Sequence, residues 1–182
     1  AIGEAAGVSK ANVFHHFISK NDLYLAVLRN ACRDATQHLD DLGNDQEALA
    51  ARLQQFARVH LENLLEHGQV ARLMLRELLS DNPRHGQELA EQVYGEKFSR
   101  FVAILRAGQQ AGELRSNIDP AMVATVLIGA NVFFFESRAA LHHFPDVSFT
   151  QQPERYSTML ADILLHGILP PHSATTRNRN RT

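Results

Sequence analysis

The fold is decided by residues 1–28, which read AIGEAAGVSKANVFHHFISKNDLYLAVL. Ile2 and Ala6 are spaced about one helical turn apart, and a small residue such as Ala6 permits close approach of a second helix. Gly7 supplies the backbone freedom that a sharp turn needs. Ser9 is a residue type that caps the N-terminus of a helix. The stretch therefore predicts two short helices joined by a tight turn, which is a helix-turn-helix.

The second of these helices has an apolar inner side and a mixed outer side. Val13 and Phe17 form the inner stripe, and we expect Val8 to be a buried plug beside it. The outward residues are Lys10, Ala11, Asn12, Phe14, His15 and His16. Their mixture of cation, amide, aromatic ring and two imidazoles is unusual for a face that meets only water. It suits a DNA groove.

The side chains of this outer face match the chemistry of base edges and phosphates. The Asn12 amide suits a bidentate contact with adenine, Lys10 suits guanine or a phosphate, and Phe14 suits the methyl group of thymine. Phosphate contacts are expected from Ser9, His15, His16 and Lys20. The competing interpretation is a purely structural corner between two helices. A metal site at the adjacent His15–His16 pair is not expected, because neighbouring helical residues point in different directions.

Residues 6–28, AGVSKANVFHHFISKNDLYLAVL, resemble the core of the TetR family of bacterial transcriptional regulators. The family pattern is a turn glycine, a recognition helix that ends in aromatic-x-His-aromatic, a Ser-Lys or Asn-Lys pair and an apolar helix. The resemblance implies a helix-turn-helix head that contacts DNA, with a helical ligand-binding and dimerisation domain behind it. The DNA contacts that it implies are Lys10, Ala11, Asn12, Phe14, His15, His16 and Lys20.

The chain departs from the family pattern in two places. Phe14 stands where the family more often has a tyrosine, so a hydroxyl contact to phosphate is replaced by apolar contact. The family also has a first helix, often with a basic arm, before the residue that corresponds to Ala1. We therefore expect the sequence to be N-terminally truncated, with a head that is held less firmly for that reason.

Beyond the head, apolar residues recur at three- and four-residue steps almost to the end of the chain, which predicts an all-α protein. Gly112 is expected to end a long helix that starts near Pro83, and Asp119–Pro120 to start the next. A last helix is expected from about Glu154 to His166. We predict a DNA-binding head over residues 1–30, a helical domain over 31–169 and a disordered basic tail over 170–182.

Composition excludes several other classes of protein. The chain has 182 residues, 45% of them hydrophobic, and a net charge of −2, as expected for an ordinary globular protein. Its longest charge-free stretch, residues 120–135, is shorter than the roughly 20 residues of a membrane span, so we expect no transmembrane helix. Cys32 is the single cysteine, and no segment has the pattern of a signal peptide. These features predict a cytoplasmic protein without cofactor or metal.

A partner subunit is predicted by residues 121–135, which read AMVATVLIGANVFFF and are apolar on every side. Such a helix has no face for water, and a second copy of the chain is its simplest cover. The expected interface residues are Val126, Tyr156, Met159, Leu160 and Ile163. A two-fold dimer would place its recognition helices roughly 34 Å apart on a palindromic operator.

Aromatic and adaptable apolar residues on the same helices, with a few polar ones, predict a small-molecule pocket. The candidates are Met74, Glu77, Leu78, Tyr94, Phe98, Phe101, Asn131, Phe134, Phe135 and Arg138. They suggest an apolar or aromatic ligand with one polar group. The alternative for each Phe and Met is a place in the ordinary core, because aromatic stripes at helical spacing fill interiors first.

These features favour a ligand-responsive, dimeric repressor that a small molecule releases from its operator. The release mechanism, a ligand-induced shift in the spacing of the two recognition helices, is implied by the resemblance. The alternative is a helical ligand-binding and dimerisation module without working DNA binding. An enzyme is not expected, because the sequence contains no nucleophile-base pair, metal-spaced cluster or glycine-rich phosphate loop.

Overall fold

The computed structural model describes residues 2–31, 39, 42–43, 47–79 and 83–166. Within these ranges every regular element is helical and no strand occurs, which confirms the predicted all-α class. The predicted disordered basic tail over 170–182 falls on residues outside these ranges and stays a prediction.

Among the described residues, three α-helices form the N-terminal part and six longer or later α-helices come after residue 47. The first three are α1 (Ile2–Ala5), α2 (Lys10–His16) and α3 (Lys20–Ala31). The later helices are α4 (Leu49–Glu66), α5 (Gly68–Leu78), α6 (Pro83–Leu89), α7 (Gly95–Gln110), α8 (Pro120–Leu141) and α9 (Pro153–His166). A π-helical segment, Ala90–Tyr94, joins α6 to α7, and a 3₁₀ turn, Phe149–Gln151, precedes α9.

The boundaries around α8 follow from local chemistry, as the sequence predicts. Gly112 has a φ of +81°, the left-handed conformation that ends the preceding helix. The Asp119 carboxylate accepts a hydrogen bond from the Ala121 amide at 2.8 Å, and Pro120 occupies the first helical position. The last helix begins at Pro153, one residue before the predicted start.

The helix predicted to run unbroken from Pro83 is interrupted by the π-helical segment. The carbonyl oxygen of Ala90 lies so close to Gly95 that a Cβ there would collide with it. Glycine therefore allows the widened turn, in which one extra residue is accommodated within a continuous helix. Sequence periodicity misses this because a single inserted residue barely changes the apolar pattern.

The main core lies where α4, α7 and α8 meet, and α9 packs against α4 and α8. Leu53 and Phe56 of α4 are buried with Phe101 and Leu105 of α7 and Leu127 of α8. The rings of Phe56 and Phe101 have centroids 4.4 Å apart. This tightly packed bundle provides a rigid base for the segments that precede it.

A second, smaller core connects α3 to the bundle. Leu25 and Leu28 of α3 pack with Leu89 of α6 and Val93 of the π-helical segment. The Arg29 side chain adds a hydrogen bond of 3.2 Å to Gln92. The helix that follows the helix-turn-helix is therefore packed against the π-helical segment.

One helix, α8, is long and apolar enough to cross a membrane by length and composition, with 22 residues and a mean hydropathy of 1.5 in its most apolar window. The charge-free stretch ends at Phe135, but the helix continues through Glu136 and Arg138 to Leu141, so the helix is longer than that stretch. The expectation of no transmembrane helix stays a prediction. The core helix of a soluble protein meets the same criterion. Leu127, Asn131 and Phe134 of α8 are buried against neighbouring helices, while 28% of the apolar window as a whole is buried.

Candidate nucleic-acid interface and sensor domain

The turn between α1 and α2 is built from two glycines. Gly7 has a φ of +66°, which L side chains rarely adopt. The Val8 amide donates to the Gly3 carbonyl at 2.8 Å, and a Cβ on Gly3 would lie only 2.8 Å from the Val8 oxygen. Gly3 is thus the small residue at the close approach, where the sequence suggested Ala6. Val8 is 39% exposed, so its prediction as a buried plug is wrong: no described element covers it.

The N-terminus of α2 is capped by a side chain, as predicted. Ser9 Oγ accepts a hydrogen bond from the Asn12 amide at 3.1 Å. At the other end the Phe17 amide donates to the Val13 carbonyl at 3.0 Å. Val13 and Phe17 are half-buried on the inner side. Both ends of this short helix are therefore fixed, which sets the direction of its outer side chains.

The predicted recognition residues share one solvent-exposed surface. Those that are exposed on α2 are Lys10, Ala11, Asn12, Phe14, His15 and His16. Lys10 Nζ lies 5.8 Å from the centroid of the Phe14 ring, and that ring is 54% exposed. The two imidazoles meet edge to face with centroids 5.2 Å apart. The exposed side chains of α2 thus offer cationic, amide and aromatic groups, with Lys10 beside Phe14 and His15 beside His16.

A second cap holds Lys20 next to this surface. Ser19 Oγ accepts from the Asp22 amide at 3.0 Å, and Asp22 Oδ2 accepts from the Ile18 amide at 3.1 Å. This reciprocal arrangement resembles a capping box and fixes the start of α3. Lys20, the first residue of α3, is exposed. Ile18 is 93% exposed, a feature of the loop that the sequence did not lead us to expect.

The predicted ligand-binding residues do not line a single cavity among the described residues. Met74 and Tyr94 pack against the small core beside α3, and the Glu77 carboxylate lies near Tyr24 of α3. Burial, together with that carboxylate, raises the pKa of the Tyr24 hydroxyl to about 12. These three candidates thus lie near the helix that follows the helix-turn-helix.

The other seven candidates are divided between core, cleft and surface. Phe101 and Phe134 are fully buried, and the Phe134 ring stacks on Tyr156 with centroids 4.1 Å apart. Phe135 and Arg138 line an open cleft, described below. Leu78 is 56% exposed and Phe98 is 37% exposed. The seventh candidate, Asn131, is buried in the core.

Asn131 joins α8 to α4 through polar contacts inside the core. Its Nδ2 donates to the Ala57 carbonyl at 2.8 Å and lies 3.1 Å from His60 Nδ1. Its Oδ1 has no hydrogen-bond partner among the described residues. A fully buried amide is costly unless it is satisfied, and here only the Nδ2 side of Asn131 has hydrogen-bond partners among the described residues.

The predicted interface residues lie on α8 and α9. Val126 is 42% exposed, Met159 42% and Ile163 48%. Tyr156 and Leu160 are half-buried, and Tyr156 Oη donates to the Ala130 carbonyl of the same chain at 2.6 Å. The outward stripe of α8 also includes two residues that the sequence analysis did not single out, Met122 at 60% and Phe133 at 65% exposure. Their four- and seven-residue spacings from Val126 are the signal that identifies them.

Two family models match the chain. Residues 1–27 match the bacterial regulatory proteins of the tetR family, and residues 44–140 match the tetracyclin repressor-like C-terminal domain. The chain belongs to the TetR family. The first match covers the helix-turn-helix, and the second covers most of the helical bundle.

Curated relatives include the HTH-type transcriptional regulator RutR of Escherichia coli K12 and of Shigella flexneri, each 33% identical over 113 residues. That match covers 60% of this chain and 53% of RutR, so the chain spans about half the length of the curated relatives it matches.

Solved structures with the same fold include a Clostridium perfringens putative fatty acid metabolism regulator, with a TM-score of 0.74 and 18% identity. That match covers 93% of this chain and 88% of the other. FadR of Bacillus subtilis in complex with stearoyl-CoA has a TM-score of 0.72 and 19% identity, covering 92% and 87%. Both agree with a helix-turn-helix head followed by a helical bundle.

Proposed function

We propose that this TetR-family chain acts as a homodimeric, ligand-responsive transcriptional regulator, a repressor that a small molecule releases from a palindromic operator. The observation that carries the proposal is the exposed outer side of α2, whose cap and turn fix it in place. Membership of a family of bacterial regulators and similarity to RutR favour the same function. An enzymatic role has no support in these features, and a regulator of this class works in the cytoplasm.

In this proposal α2 enters the major groove and α3 begins at the phosphate backbone. The helix cap uses only the backbone N–H of Asn12, so the cap does not occupy the side-chain carboxamide. That carboxamide reads an adenine edge. Lys10 contacts guanine or phosphate, and Phe14 contacts a thymine methyl. Phosphates are contacted by Ser9, His15, His16 and Lys20, and Ala11 lies close to the bases.

The second copy of the chain is proposed to cover the outward stripe of α8 and the adjacent side of α9. Met122, Val126 and Phe133 expose apolar side chains there, together with Met159 and Ile163 of α9. Gly129, on the same stripe, has no atom within 4 Å of a Cβ built on it, so a partner helix can approach closely. Facing pairs of helices from two copies would form a four-helix interface. The same cover removes any need for a membrane around α8.

The effector is proposed to be a small, largely apolar molecule with one polar group. Met74, Glu77 and Tyr94 lie near α3, so a ligand that displaces them would move the helix that follows the recognition helix. The similarity in fold to FadR in complex with stearoyl-CoA supports an apolar effector. The alternative function is a ligand-binding and dimerisation module without DNA binding. In that case substitution of Asn12 or Lys20 would not affect function.

The experiment that tests the proposal first selects an operator from a pool of randomised duplexes, and then compares Asn12→Ala with Lys20→Ala on that operator and on operators with single base changes. Asn12→Ala should cost about 1–3 kcal/mol on the operator and relax the preference at one base position. Lys20→Ala should weaken binding to all sequences alike. It should also reduce the slope of log K against log salt concentration by about one.

The matched control is Arg106→Ala, which removes an exposed cation from α7 without touching α2. It should leave the affinity for the operator unchanged. Circular dichroism confirms that each variant keeps its helical content. Equal loss of affinity for every duplex in both Asn12→Ala and Lys20→Ala would contradict base reading by α2.

A further inference from the structure

A concave cleft of about 660 Å³ lies where the end of α4, the start of α5 and the end of α8 meet the 3₁₀ turn. Its volume falls in the range of small-molecule sites. The residues that line it are Leu65, Gly68, Arg72, Phe135, Arg138, Ala139, His142, His143, Thr150 and Gln151. Only Phe135 and Arg138 of these were suggested by the sequence, because the others come together through packing of distant segments.

Among the described residues that line the cleft, the permanently charged side chains are both arginines, so their charge is positive. Two arginines and two histidines line it, and no carboxylate does among the residues that the structure describes. Arg72 Nε lies 3.6 Å from a carboxylate oxygen of Glu136, a residue that does not line the cleft. Arg138 has no acidic partner within ion-pair distance in the described part of the chain. Because a concave surface lined by one sign of charge focuses its field, the cleft attracts an anion.

The walls of the cleft select the shape of that anion. Phe135 forms an apolar wall with Leu65 and Ala139, and the Arg72 guanidinium carbon lies 5.3 Å from the centroid of its ring. A Cβ on Gly68 would lie 3.4 Å from the same ring, so the backbone of α5 passes close to this wall.

The polar side of the cleft includes one buried hydroxyl group. Thr150 is only 3% exposed, and its Oγ1 lies 3.5 Å from His142 Nδ1. The cleft therefore combines an apolar wall with two guanidinium groups, and a planar guanidinium can pair with a carboxylate through two parallel hydrogen bonds.

We propose that this cleft binds a small organic carboxylate, with its apolar part on Phe135 and its carboxylate held by Arg138 and Arg72. The planar guanidinium of Arg138, free of acidic partners in the described residues, supplies paired donors to the two carboxylate oxygens. Any effect of this ligand on DNA release rests on the proposed function. Binding itself does not, and it is measured without DNA.

The test uses three probes on the whole chain: phenylacetate, its neutral analogue phenylacetamide, and inorganic phosphate. Isothermal titration calorimetry gives affinities, and ¹H–¹⁵N spectra report shifts of the Thr150 and Gln151 amides. Phenylacetate should bind saturably at millimolar concentrations or below, and phenylacetamide at least about tenfold more weakly. Phosphate should fail to compete, because it has no apolar part for Phe135.

Two variants test the assignment to the cleft. Arg138→Gln should weaken phenylacetate at least about tenfold, while the control Arg106→Gln, on exposed α7 surface, should not change it. Ala139→Leu keeps every charge but fills the cleft, and it should abolish binding. It also tests the site should Arg138→Gln fail to fold.

Equal binding of phenylacetate and phenylacetamide, effective competition by phosphate, or unchanged binding in Ala139→Leu would overturn the proposal. Absence of saturable phenylacetate binding would overturn it too. None of these results would bear on operator binding by α2, so a failure of this proposal and a failure of the proposed function are distinguishable.

Discussion

Substitution of Val126 by aspartate should separate the proposed dimer without unfolding the chain. Val126 is 42% exposed on the outward stripe of α8, and its neighbours on that stripe, Met122 and Phe133, are more exposed still. In one isolated copy the new carboxylate would remain in water. In the dimer it would be buried against the equivalent helix of the second copy.

The size of the effect follows from the exposed fraction. Complete burial of a valine side chain is worth about 1.5–3 kcal/mol, so burial of the remaining 42% contributes about 0.6–1.3 kcal/mol in each protomer. Two-fold symmetry doubles this contribution. An unpaired carboxylate buried twice adds several kcal/mol more, so the dimer Kd should rise by at least about 100-fold.

Sedimentation velocity over a range of concentrations measures this Kd directly. Ala103→Asp, which adds the same charge to an exposed position of α7, is the control and should leave the dimer intact. Circular dichroism should show the same helical content in both variants. An unchanged sedimentation coefficient for Val126→Asp at micromolar concentration would refute the interface on α8.

Two further substitutions test the packing and electrostatics of the bundle. Gly108→Ala should lower the free energy of unfolding in urea by about 1–3 kcal/mol, because its Cβ would collide with the Leu49 side chain. In the control Gly86→Ala, the new Cβ would have no atom within 4 Å, so this substitution should be neutral or stabilising. A larger loss of stability in Gly86→Ala than in Gly108→Ala would contradict the packing. Burial raises the pKa of Tyr156 to about 12, so the stability it gives is complete below pH 10 and is lost as pH rises through 12. Tyr156→Phe should remove that contribution to the alkaline loss of stability, which solvent screening of the half-buried hydroxyl keeps to about 1 kcal/mol, and an unchanged alkaline slope in urea unfolding would exclude the assignment.

The helix boundaries that depend on neighbouring residues are predictable from the sequence. Ser9 caps α2, Asp119–Pro120 starts α8 and Gly112 ends the segment before it. In each case the cap and the groups it satisfies lie within a few residues, so tertiary contacts do not change the outcome. The exposed outer side of α2 follows in the same way, because periodicity alone determines which side chains face outward.

Features that depend on distant contacts are not predictable in this way. Gly3 is needed because the Val8 oxygen approaches it, and Gly95 because of the widened turn after Ala90. The ten pocket candidates come from helices with the same apolar periodicity, yet packing divides them among core, cleft and surface, since periodicity cannot tell a core wall from a cavity wall. The cleft around Arg138 is lined partly by Thr150 and Gln151, which follow the loop after α8 and pack beside it.

Base-specific binding of α2 to DNA is tested most directly by selection from a pool of randomised duplexes at a single, moderate salt concentration. Two proteins are compared: this chain, and this chain preceded by a first helix from a TetR-family relative. The account predicts that a palindrome is enriched, with half-sites about one helical turn, roughly 34 Å, apart. Failure of both proteins to enrich any sequence would contradict it, and would favour a module that binds only a ligand and its own second copy.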